Sequence, residues 1–277
     1  MMQFYIDDII KKALLEDINY IDMAADNLLS DDHISAAKFL AKADGVLCGV
    51  DVALRVFELL GDFNIKKYMN DGAALKKGDI IAEIEGPTKL LLKGERTSLN
   101  LIQHMSGIAT MTHEVAELIK GTNATVTDTR KTLPGLRALQ KYAVTCGGGK
   151  NHRFNLSDAA MLKDNHIDAC GSITKAVSTL REKIGHTVKI EVETRNLNEV
   201  AEALSTGCEI IMLDNMDCPT MKRAVEITAG KALLEASGNI TAETVRAVAE
   251  TGVDIISIGA LTHSVRAFDI SLKIVKK

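Results

Sequence analysis

Residues 129 to 166 form the stretch of this chain that is richest in groups able to bind an anion. Three consecutive glycines, 147 to 149, and two histidines lie among cations, although the formal net charge of the chain is −4. Guanidinium groups bind carboxylates and phosphates through paired hydrogen bonds, lysine adds a compact charge, and glycine lets the backbone bend freely. The stretch predicts a site for a small, multiply anionic substrate, and its cations include Arg130, Lys131, Arg137, Lys150, Arg153 and Lys163.

Several motifs from both halves of the chain occur together in one order. Within the cation-rich stretch they are Thr129-Arg-Lys-Thr132, Pro134-Gly-Leu-Arg137, Asn151-His-Arg153 and Lys163-Asp-Asn-His166. Outside it they are Gly94-Glu-Arg-Thr-Ser-Leu-Asn100, Glu191-Val-Glu193, Met212-Leu-Asp-Asn-Met216 and Glu235-Ala-Ser-Gly-Asn239. With these motifs the sequence resembles the quinolinate phosphoribosyltransferase family, the carboxylating nicotinate-nucleotide pyrophosphorylases of NAD synthesis, over most of its length. One such motif is weak evidence, but this many in register are strong.

The resemblance implies transfer of a phosphoribosyl group from phosphoribosyl pyrophosphate to quinolinate, with loss of pyrophosphate and carbon dioxide, to give nicotinate mononucleotide. Such a reaction needs cations for two carboxylates and a diphosphate, carboxylates beside an electron-poor ribosyl group, and backbone amides for a phosphate. We assign the quinolinate-binding role to Arg130, His152, Arg153 and Lys163, with Arg96 contributed across the interface of a homodimer or higher homo-oligomer.

Other residues are expected to bind the phosphoribosyl pyrophosphate. Lys131 is expected to neutralise the pyrophosphate as its bond breaks. By resemblance, Glu193 and Asp214 bind the ribose hydroxyls, directly or through Mg²⁺, a cofactor that prefers hard oxygen ligands. Glu191 would share the face of Glu193 in a regular strand, so the sequence leaves the choice between them open. The residues expected at the 5′-phosphate are Ser237, Gly238, Asn239, Gly259 and Ala260.

Composition limits the class of protein. With 277 residues, 46% of them hydrophobic, the chain has material for one large or two modest domains. A net charge of −4 argues against nucleic acid as the main partner. The five cysteines are odd in number and lack Cys-x-x-Cys spacing, so we expect reduced thiols. The sequence shows neither a secretion signal nor a run of about 20 apolar residues, so we expect a cytoplasmic enzyme without membrane contact.

The first part of the chain is predicted to be an α/β sandwich domain, residues 1–105. Apolar spacing predicts a helix over residues 6–19, and Asp44-Gly45 predicts a hairpin turn within a strand pair over residues 34–50. Short strands separated by glycine turns, over residues 65–85, resemble the lipoyl-like strands that precede the family's catalytic domain. The tail, residues 265–277, is expected to pack back on this domain.

The second part, residues 106–264, is predicted to be a parallel α/β barrel. Short apolar runs occupy residues 124–128, 159–162, 188–192, 209–213, 232–235 and 254–258, and the last four recur about every 22 residues, each followed by a helix-like segment. Polar residues follow the runs, as they do on the active-site face of a barrel. A full barrel takes about 250 residues, so we expect an incomplete one of six or seven strands.

Other interpretations compete with this one. The chain could be a related phosphoribosyltransferase for a different acid, a barrel lyase that uses Lys163 as a Schiff-base amine, or a silent phosphate-binding subunit. The cations themselves could merely form surface ion pairs, Arg153 with Asp158 and Lys163 with Asp164. Such pairing would not explain why three consecutive glycines, residues 147 to 149, occur beside these cations.

Overall fold

The structure is a computed structural model that describes residues 3–275. In chain order its helices are α1 (Gln3–Asp17), α2 (Ala25–Leu28), α3 (Val50–Leu60), α4 (Thr88–Leu118), α5 (Arg137–Cys146), α6 (Asp164–Cys170), α7 (Ile173–Arg181), α8 (Leu197–Ser205), α9 (Cys218–Thr228), α10 (Val245–Ala249) and α11 (Ala260–His263). Its strands are β1 (Ile34–Ala41), β2 (Gly45–Val46), β3 (Asn64–Lys67), β4 (Ala74–Leu75), β5 (Ile80–Pro87), β6 (Thr125–Thr127), β7 (Ala160–Leu162), β8 (Ile190–Thr194), β9 (Ile210–Asp214), β10 (Leu233–Ser237), β11 (Ile255–Ser257) and β12 (Ile270–Ile274).

The chain divides into two compact units that do not follow simple halves of the sequence. The first comprises residues up to His113, Leu133–Gly148 and the residues from Ser264 on, and the second comprises Glu114–Thr132 and Gly149–His263. The predicted boundary after residue 105 therefore lies within α4, which continues to Leu118. Among the described residues, no helix is long and apolar enough to span a membrane.

The first unit is built on an antiparallel sheet of four strands in the order β12-β1-β5-β3. Strands β1 and β5 alternate buried and more exposed residues, so one face of the sheet supplies a core with Phe39 and Phe57, whose rings meet edge to face at 6.2 Å between centroids. The tail of the chain joins this sheet, because β12 pairs antiparallel with β1.

The hairpin predicted at Asp44-Gly45 is wrong. Strand β1 pairs with β5 and β12, whereas β2 pairs antiparallel with β4. Asp44 instead binds the turn before β5, since its carboxylate accepts hydrogen bonds from the backbone N–H of Lys77 at 2.9 Å and from Lys76 Nζ at 2.9 Å. The Asp-Gly pair is a local turn signal, and the partner of a strand depends on contacts distant in sequence.

Helix α5 belongs to the first unit, although it lies within the predicted barrel domain. Its buried residues Leu139, Ala143 and Val144 form an apolar face, and Gly147 follows directly where the chain passes α4. A Cβ on Gly147 would lie 2.3 Å from the carbonyl oxygen of Ala109, so only glycine permits this approach. Gly147 thus has a packing role that the sequence alone did not reveal.

The second unit is a sheet of six parallel strands in the order β6-β11-β10-β9-β8-β7. Each of the six predicted runs contains or overlaps one of these strands, and helices α8 and α9 follow β8 and β9 in the βα pattern. The sheet is barrel-like but not closed by hydrogen bonds, since within the described residues each edge strand, β6 and β7, pairs with one neighbour. The prediction of an incomplete parallel barrel preceded by an α/β sandwich domain is confirmed.

Strand register brings the carboxyl ends of these strands level. Ser237 at the end of β10 pairs with Asp214 of β9 and with Ser257 of β11, and Ser257 pairs with Thr127 of β6. Because side chains alternate along a strand, residues at this level and two positions earlier face the same side. The register therefore presents one row of polar side chains to the mouth of the sheet.

Candidate functional site

A cavity of about 350 Å³ lies at the carboxyl ends of the six strands, within the second unit. The structure brings eight of the predicted site residues to its wall, from segments far apart in sequence. Its lining residues are Thr129, Arg130, Lys131, His152, Arg153, Met161, Lys163, Glu193, Met212, Asp214, Glu235, Ser237 and Ser257. In open parallel α/β sheets and barrels, ligands bind at this end of the strands.

Two arginines, Arg130 and Arg153, line the cavity close enough for their charges to interact. The Nε of Arg130 is buried and has no hydrogen-bond partner among the described residues. Burial lowers the pKa of Arg153, and the nearby charge of Arg130 lowers it further. The guanidinium of Arg153 is held by the carbonyl oxygen of Ala159 at 3.3 Å and by the sulfur of Met161 at 3.1 Å, neither of which carries a charge. An anion bound here would supply the missing acceptor and offset the repulsion.

The interpretation of Arg153 and Lys163 as surface ion pairs is not supported. Asp158 accepts a hydrogen bond from the backbone N–H of Phe154 at 2.6 Å, and Asp164 accepts one from Asn165 at 2.7 Å. The ammonium of Lys163 faces Glu193 instead, with Nζ 3.5 Å from Oε2. Lys163 and Glu193 are thus paired at the mouth of the cavity, where a bound substrate can replace either residue as the partner of the other.

His152 reaches into the sheet and meets two buried carboxylates. Its Nε2 lies 3.2 Å from Oε2 of Glu191 and 3.4 Å from Oε2 of Glu235. Both glutamates are almost completely buried, at 2% and 1% exposure. The backbone of His152 is fixed as well, because its N–H donates to Oδ1 of the buried Asp128 at 2.9 Å. The ring is therefore held in place from beneath.

The charge of His152 is set by opposing effects. Burial disfavours the charged ring, but hydrogen bonds and charge from Glu191 and Glu235 outweigh it and raise the pKa of His152 to about 10. The amide N–H of Arg153 donates to Nδ1 at 2.8 Å, so a second ring proton has to displace that bond. Burial raises the pKa of Glu191 in turn. In either charge state, Nε2–H points to the carboxylates.

The structure separates Glu191 from Glu193, which the sequence could not. Both face the interior of the sheet, two positions apart on β8, but they lie at different depths. Glu191 is buried beneath His152, whereas Glu193 lines the cavity beside Asp214 of the neighbouring strand. Asp214 Oδ2 accepts a hydrogen bond from Asn215 Nδ2 at 2.9 Å. The two carboxylates at the mouth offer hard oxygen atoms of the kind that Mg²⁺ takes as ligands.

Lys131 is positioned by backbone contacts at the end of β6. Its N–H donates to the hydroxyl of Thr129 at 3.0 Å, and its carbonyl oxygen accepts from the hydroxyl of Thr262 at 2.9 Å. Gly259 supports the side chain, because a Cβ there would lie 3.0 Å from Cδ of Lys131. The aliphatic stem thus lies over the turn after β11 and leaves the ammonium exposed.

The turn after β10 has a backbone suited to binding an anion, although it is not the start of a helix as its position between strand and helix suggested. Helix α10 begins only at Val245. Instead Gly238 and Asn239 have φ of +103° and +50°, and Asn239 Nδ2 donates to Asn215 Oδ1 at 3.2 Å. Successive residues in such conformations point backbone N–H groups to one side. Only Ser237 of this turn lines the cavity itself.

The remaining predicted residues lie elsewhere. Gly259 lies between β11 and α11, beside Lys131, and Ala260 is the first residue of α11. Arg96 lies in α4, in the first unit, and its side chain is exposed. Its proposed place in a partner's site stays a prediction.

Several lining residues carried no predicted role, and Glu235 is the most informative of them. It interrupts the apolar strand Leu233-Leu-Glu-Ala-Ser237 and lies two positions before Ser237, so alternation places both on one face. A charged residue within an otherwise buried strand was the signal that could have identified it.

The interpretation of Lys163 as a Schiff-base amine finds little support in this geometry. Lysines that act as amine nucleophiles are typically desolvated or placed beside another cation. The side chain of Lys163 is 51% exposed and faces the carboxylate of Glu193. Its surroundings therefore favour a role in binding anions over one as an amine nucleophile.

The parallel sheet defines a barrel-like α/β protein with cations and carboxylates gathered at the ends of its strands. Models of the quinolinate phosphoribosyl transferase N-terminal domain and C-terminal domain match residues 22–106 and 108–273. A nicotinate-nucleotide pyrophosphorylase (carboxylating) of Mycobacterium leprae is 42% identical, with 96% of this chain and 95% of that protein covered. A mitochondrial quinolinate phosphoribosyltransferase (decarboxylating) of Nicotiana tabacum is 42% identical, with 96% and 81% covered.

The fold agrees with these sequence matches. The crystal structure of NadC from Streptococcus pyogenes superposes with a TM-score of 0.95 at 41% identity, covering 100% of this chain and 99% of that one. The chain belongs to the quinolinate phosphoribosyltransferase family. The resemblance seen in the motifs alone is thereby confirmed.

Proposed function

We propose that this protein transfers the phosphoribosyl group of phosphoribosyl pyrophosphate to quinolinate and releases pyrophosphate and carbon dioxide, forming nicotinate mononucleotide for NAD synthesis. The observation that carries this proposal is the pair of Arg130 and Arg153, two partly buried guanidinium groups that line one cavity with Lys163 and the ends of β8 and β9, and of which Arg130 Nε is buried without an acceptor among the described residues. Two guanidiniums and an ammonium match two carboxylates on one planar ring.

Binding of the diacid is the first task of the site. Arg130 and Arg153 bind its carboxylates by charge-assisted hydrogen bonds, and Lys163 exchanges Glu193 for a substrate oxygen. His152, held from below by two carboxylates, fixes the position of the ring and sets the floor of the cavity. Several bonds to one rigid acid orient its ring nitrogen for attack, which converts an encounter of two substrates into a reaction within one complex.

Ribosyl transfer follows at the mouth of the cavity. The ring nitrogen forms a bond to the anomeric carbon of the sugar, and the bond from that carbon to the pyrophosphate oxygen breaks. The ammonium of Lys131 neutralises the charge that develops on the leaving pyrophosphate. Glu193 and Asp214 hold the ribose hydroxyls and stabilise the electron-poor sugar through their negative charge. The turn of Ser237, Gly238 and Asn239 binds the 5′-phosphate through its backbone N–H groups.

The oxygen ligands at the mouth fit a magnesium ion. Glu193 and Asp214 lie at the ends of adjacent strands and present carboxylates to the same cavity. When bound there, Mg²⁺ would supply positive charge to the pyrophosphate and the ribose oxygens. Both carboxylates also orient the ribose, and Glu193 in addition neutralises Lys163.

Loss of carbon dioxide needs no separate base. Once the ring nitrogen carries the ribosyl group it is positively charged, and it stabilises the electron pair that the departing carboxylate leaves on the adjacent carbon. A proton from water then completes nicotinate mononucleotide. The arginine that held the lost carboxylate no longer has an anion, so the product is bound less tightly than the substrate.

The enzyme acts in the cytoplasm as a homodimer or larger assembly, with Arg96 of one subunit completing the quinolinate site of another. This part of the proposal is supported by the exposed position of Arg96 on α4 and by the five unpaired cysteines. Mixed dimers of Arg96→Ala and Lys163→Ala chains test it. If Arg96 acts across the interface, one of the two sites in a mixed dimer contains both substitutions and the other contains neither, so one site is complete. Activity that does not exceed that of either variant alone would place Arg96 in its own subunit's site.

The proposed reaction itself is tested with phosphoribosyl pyrophosphate, magnesium and one acid at a time. We expect quinolinate to yield carbon dioxide and pyrophosphate in equal amounts, and nicotinate to yield little nucleotide because one carboxylate is missing. Nucleotide formed from another acid but not from quinolinate would contradict the proposed substrate. Lys131→Ala should abolish turnover and retain quinolinate binding by calorimetry, whereas lost binding with normal turnover at saturation would refute the role of Lys131.

A further inference from the structure

A second group of metal-ligating side chains lies in the first unit, and the proposed reaction makes no use of it. It consists of Cys48, Asp71 and Cys146, which come from three separate segments of the chain. The two sulfur atoms and one carboxylate oxygen all lie within 4.8 Å of one another. We call these residues the cysteine–aspartate cluster. Cys48 is buried, whereas Asp71 and Cys146 are each partly exposed, so the cluster reaches the surface on one side.

Cys48 is held rigidly at the inner end of the cluster. Its backbone N–H donates to the hydroxyl of Ser106 at 3.0 Å, and the same hydroxyl donates to its carbonyl oxygen at 3.0 Å. Gly49 follows with φ of +92°, which turns the chain into α3. The backbone that carries the Cys48 side chain is therefore fixed in position.

Asp71 is oriented by the start of α3. Its Oδ1 accepts a hydrogen bond from the backbone N–H of Val50 at 3.0 Å, the first residue of that helix. Gly49 has no side chain that could cap the helix, so Asp71 takes this role from a distance in sequence. One carboxylate oxygen is thus occupied, and a carboxylate fixed in this way is a well-oriented metal ligand.

Cys146 ends α5 and meets the other two residues from the opposite side. The sulfur of Cys48 lies within 4.8 Å of the sulfur of Cys146, and the hydroxyl of Tyr142 lies near both Cys146 and Asp71. Tyr142 is one turn earlier on α5, so it shares a face with Cys146. The cluster is therefore a connected set of two sulfurs, one carboxylate and one phenol.

We propose that the cysteine–aspartate cluster binds a thiophilic divalent cation of the Zn²⁺ type, with the two sulfurs and the carboxylate as protein ligands. In a tetrahedral zinc site, with Zn–S of about 2.3 Å and Zn–O of about 2.0–2.2 Å, ligand atoms lie roughly 3.4–3.8 Å apart. Since the three atoms already lie within 4.8 Å of one another, small side-chain rotations complete the site. Sulfur ligands select against Mg²⁺, so this site is chemically distinct from the carboxylates Glu193 and Asp214.

The charges balance without a further reactant. Binding converts both thiols to thiolates and releases two protons to solvent. Two thiolates and one carboxylate around a divalent ion carry a net charge of −1, and the hydroxyl of Tyr142 can donate to one of these ligands. The fourth position is left to water or to the phenol oxygen. Without the ion, the carboxylate of Asp71 would keep only its capping role.

The test uses the full chain, reduced and freed of metal with a chelator, and titrates it with Cd²⁺ or Co²⁺ as spectroscopic substitutes for Zn²⁺. We expect one ion per chain to produce the ultraviolet absorption of cadmium thiolate bonds and the intense visible bands of tetrahedral cobalt. Addition of Zn²⁺ should displace both signals. Carboxylates such as Glu193 and Asp214 produce no thiolate absorption, so the result is independent of the proposed reaction.

Two variants locate the ion, and two serve as controls. Cys146→Ser and Asp71→Asn should weaken binding by at least about 100-fold, and Asn keeps the oxygen that accepts from Val50. Cys170→Ser and Cys218→Ser, which alter partly buried cysteines of the second unit, should bind as the unaltered chain does. Circular dichroism of each apoprotein shows that it is folded.

Three results would overturn the proposal. The first is the absence of thiolate absorption in the unaltered chain, and the second is an equal signal in Cys146→Ser. The third is exclusive oxidation, in which peroxide joins Cys48 to Cys146 with a mass loss of two hydrogens while the reduced chain takes up no metal. That outcome would assign the cluster to disulfide chemistry instead.

Discussion

The glycine run within the cation-rich stretch, residues 147 to 149, allows the packing role of one glycine to be separated from the conformational role of another. A Cβ on Gly147 would lie 2.3 Å from the carbonyl oxygen of Ala109 and 2.7 Å from Cβ of Thr112, whereas a Cβ on Gly148 would meet nothing within 4 Å. Optimal carbon contacts are about 3.5–4.0 Å, so alanine at Gly147 requires shifts on the order of 1 Å in the backbone of α4. Overpacking of this kind costs about 3 kcal/mol. Gly148 has φ of +90°, at which alanine costs only about 1–2 kcal/mol.

Urea unfolding followed by circular dichroism measures both changes in the same protein. Gly147→Ala should lower the free energy of unfolding about twice as much as Gly148→Ala, with the slope against urea unchanged. Both variants remove one glycine from the same run, so their difference isolates the contact with α4. Equal losses, or a larger loss in Gly148→Ala, would refute the packing role of Gly147 and return the run to a purely conformational role in the loop.

The site itself yields further predictions. Glu235→Gln removes one carboxylate beside His152 and should lower the pKa of that ring, measured by nitrogen NMR; an unchanged titration would contradict the arrangement. Because the pKa of His152 is raised from 6.5 to about 10, its stabilising contribution is fully present below pH 6.5 and is lost as the pH rises through 10. The unfolding free energy of the native chain minus that of His152→Asn should fall over this range, and a constant difference would refute it. Gly238→Ala places a Cβ 2.2 Å from Asn215 Oδ1 at φ of +103°, so it should weaken phosphoribosyl pyrophosphate binding at least about tenfold and spare quinolinate binding, both by calorimetry.

The parallel sheet was predictable because its signal is local. Each buried strand is a short apolar run, and the polar residues that follow it reach the same edge because all the strands point one way. Lys163 after β7, Asp214 at the end of β9 and Ser237 at the end of β10 were assigned to one site on this ground, and all three line one cavity. The order of the strands was not needed for that assignment.

Pairing and packing between distant segments could not be predicted in the same way. The Asp44-Gly45 turn has the sequence of a hairpin, but β1 takes β12, more than 220 residues later, as one of its partners. Likewise α5 has an amphipathic pattern that fits either unit, and only its approach to α4 places it in the first. In both cases the local pattern indicates that one face of the strand or helix is buried, but it does not indicate which segment packs against that face.

Depth within the sheet is a third kind of information, and it determines the chemistry of the glutamates. Alternation along β8 places Glu191 and Glu193 on the same face, but the two positions differ by about 6–7 Å along the strand. At the mouth Glu193 meets Lys163 and remains available to ligands, whereas Glu191 lies under His152 at 2% exposure. Glu235 pairs with Ile255 and Met212 on its neighbouring strands, and this register brings it under the same ring. Glu191 lies outside the lining of this cavity and against His152, so we expect it to act through the imidazole, and Glu191→Gln should alter quinolinate binding before it alters the binding of phosphoribosyl pyrophosphate.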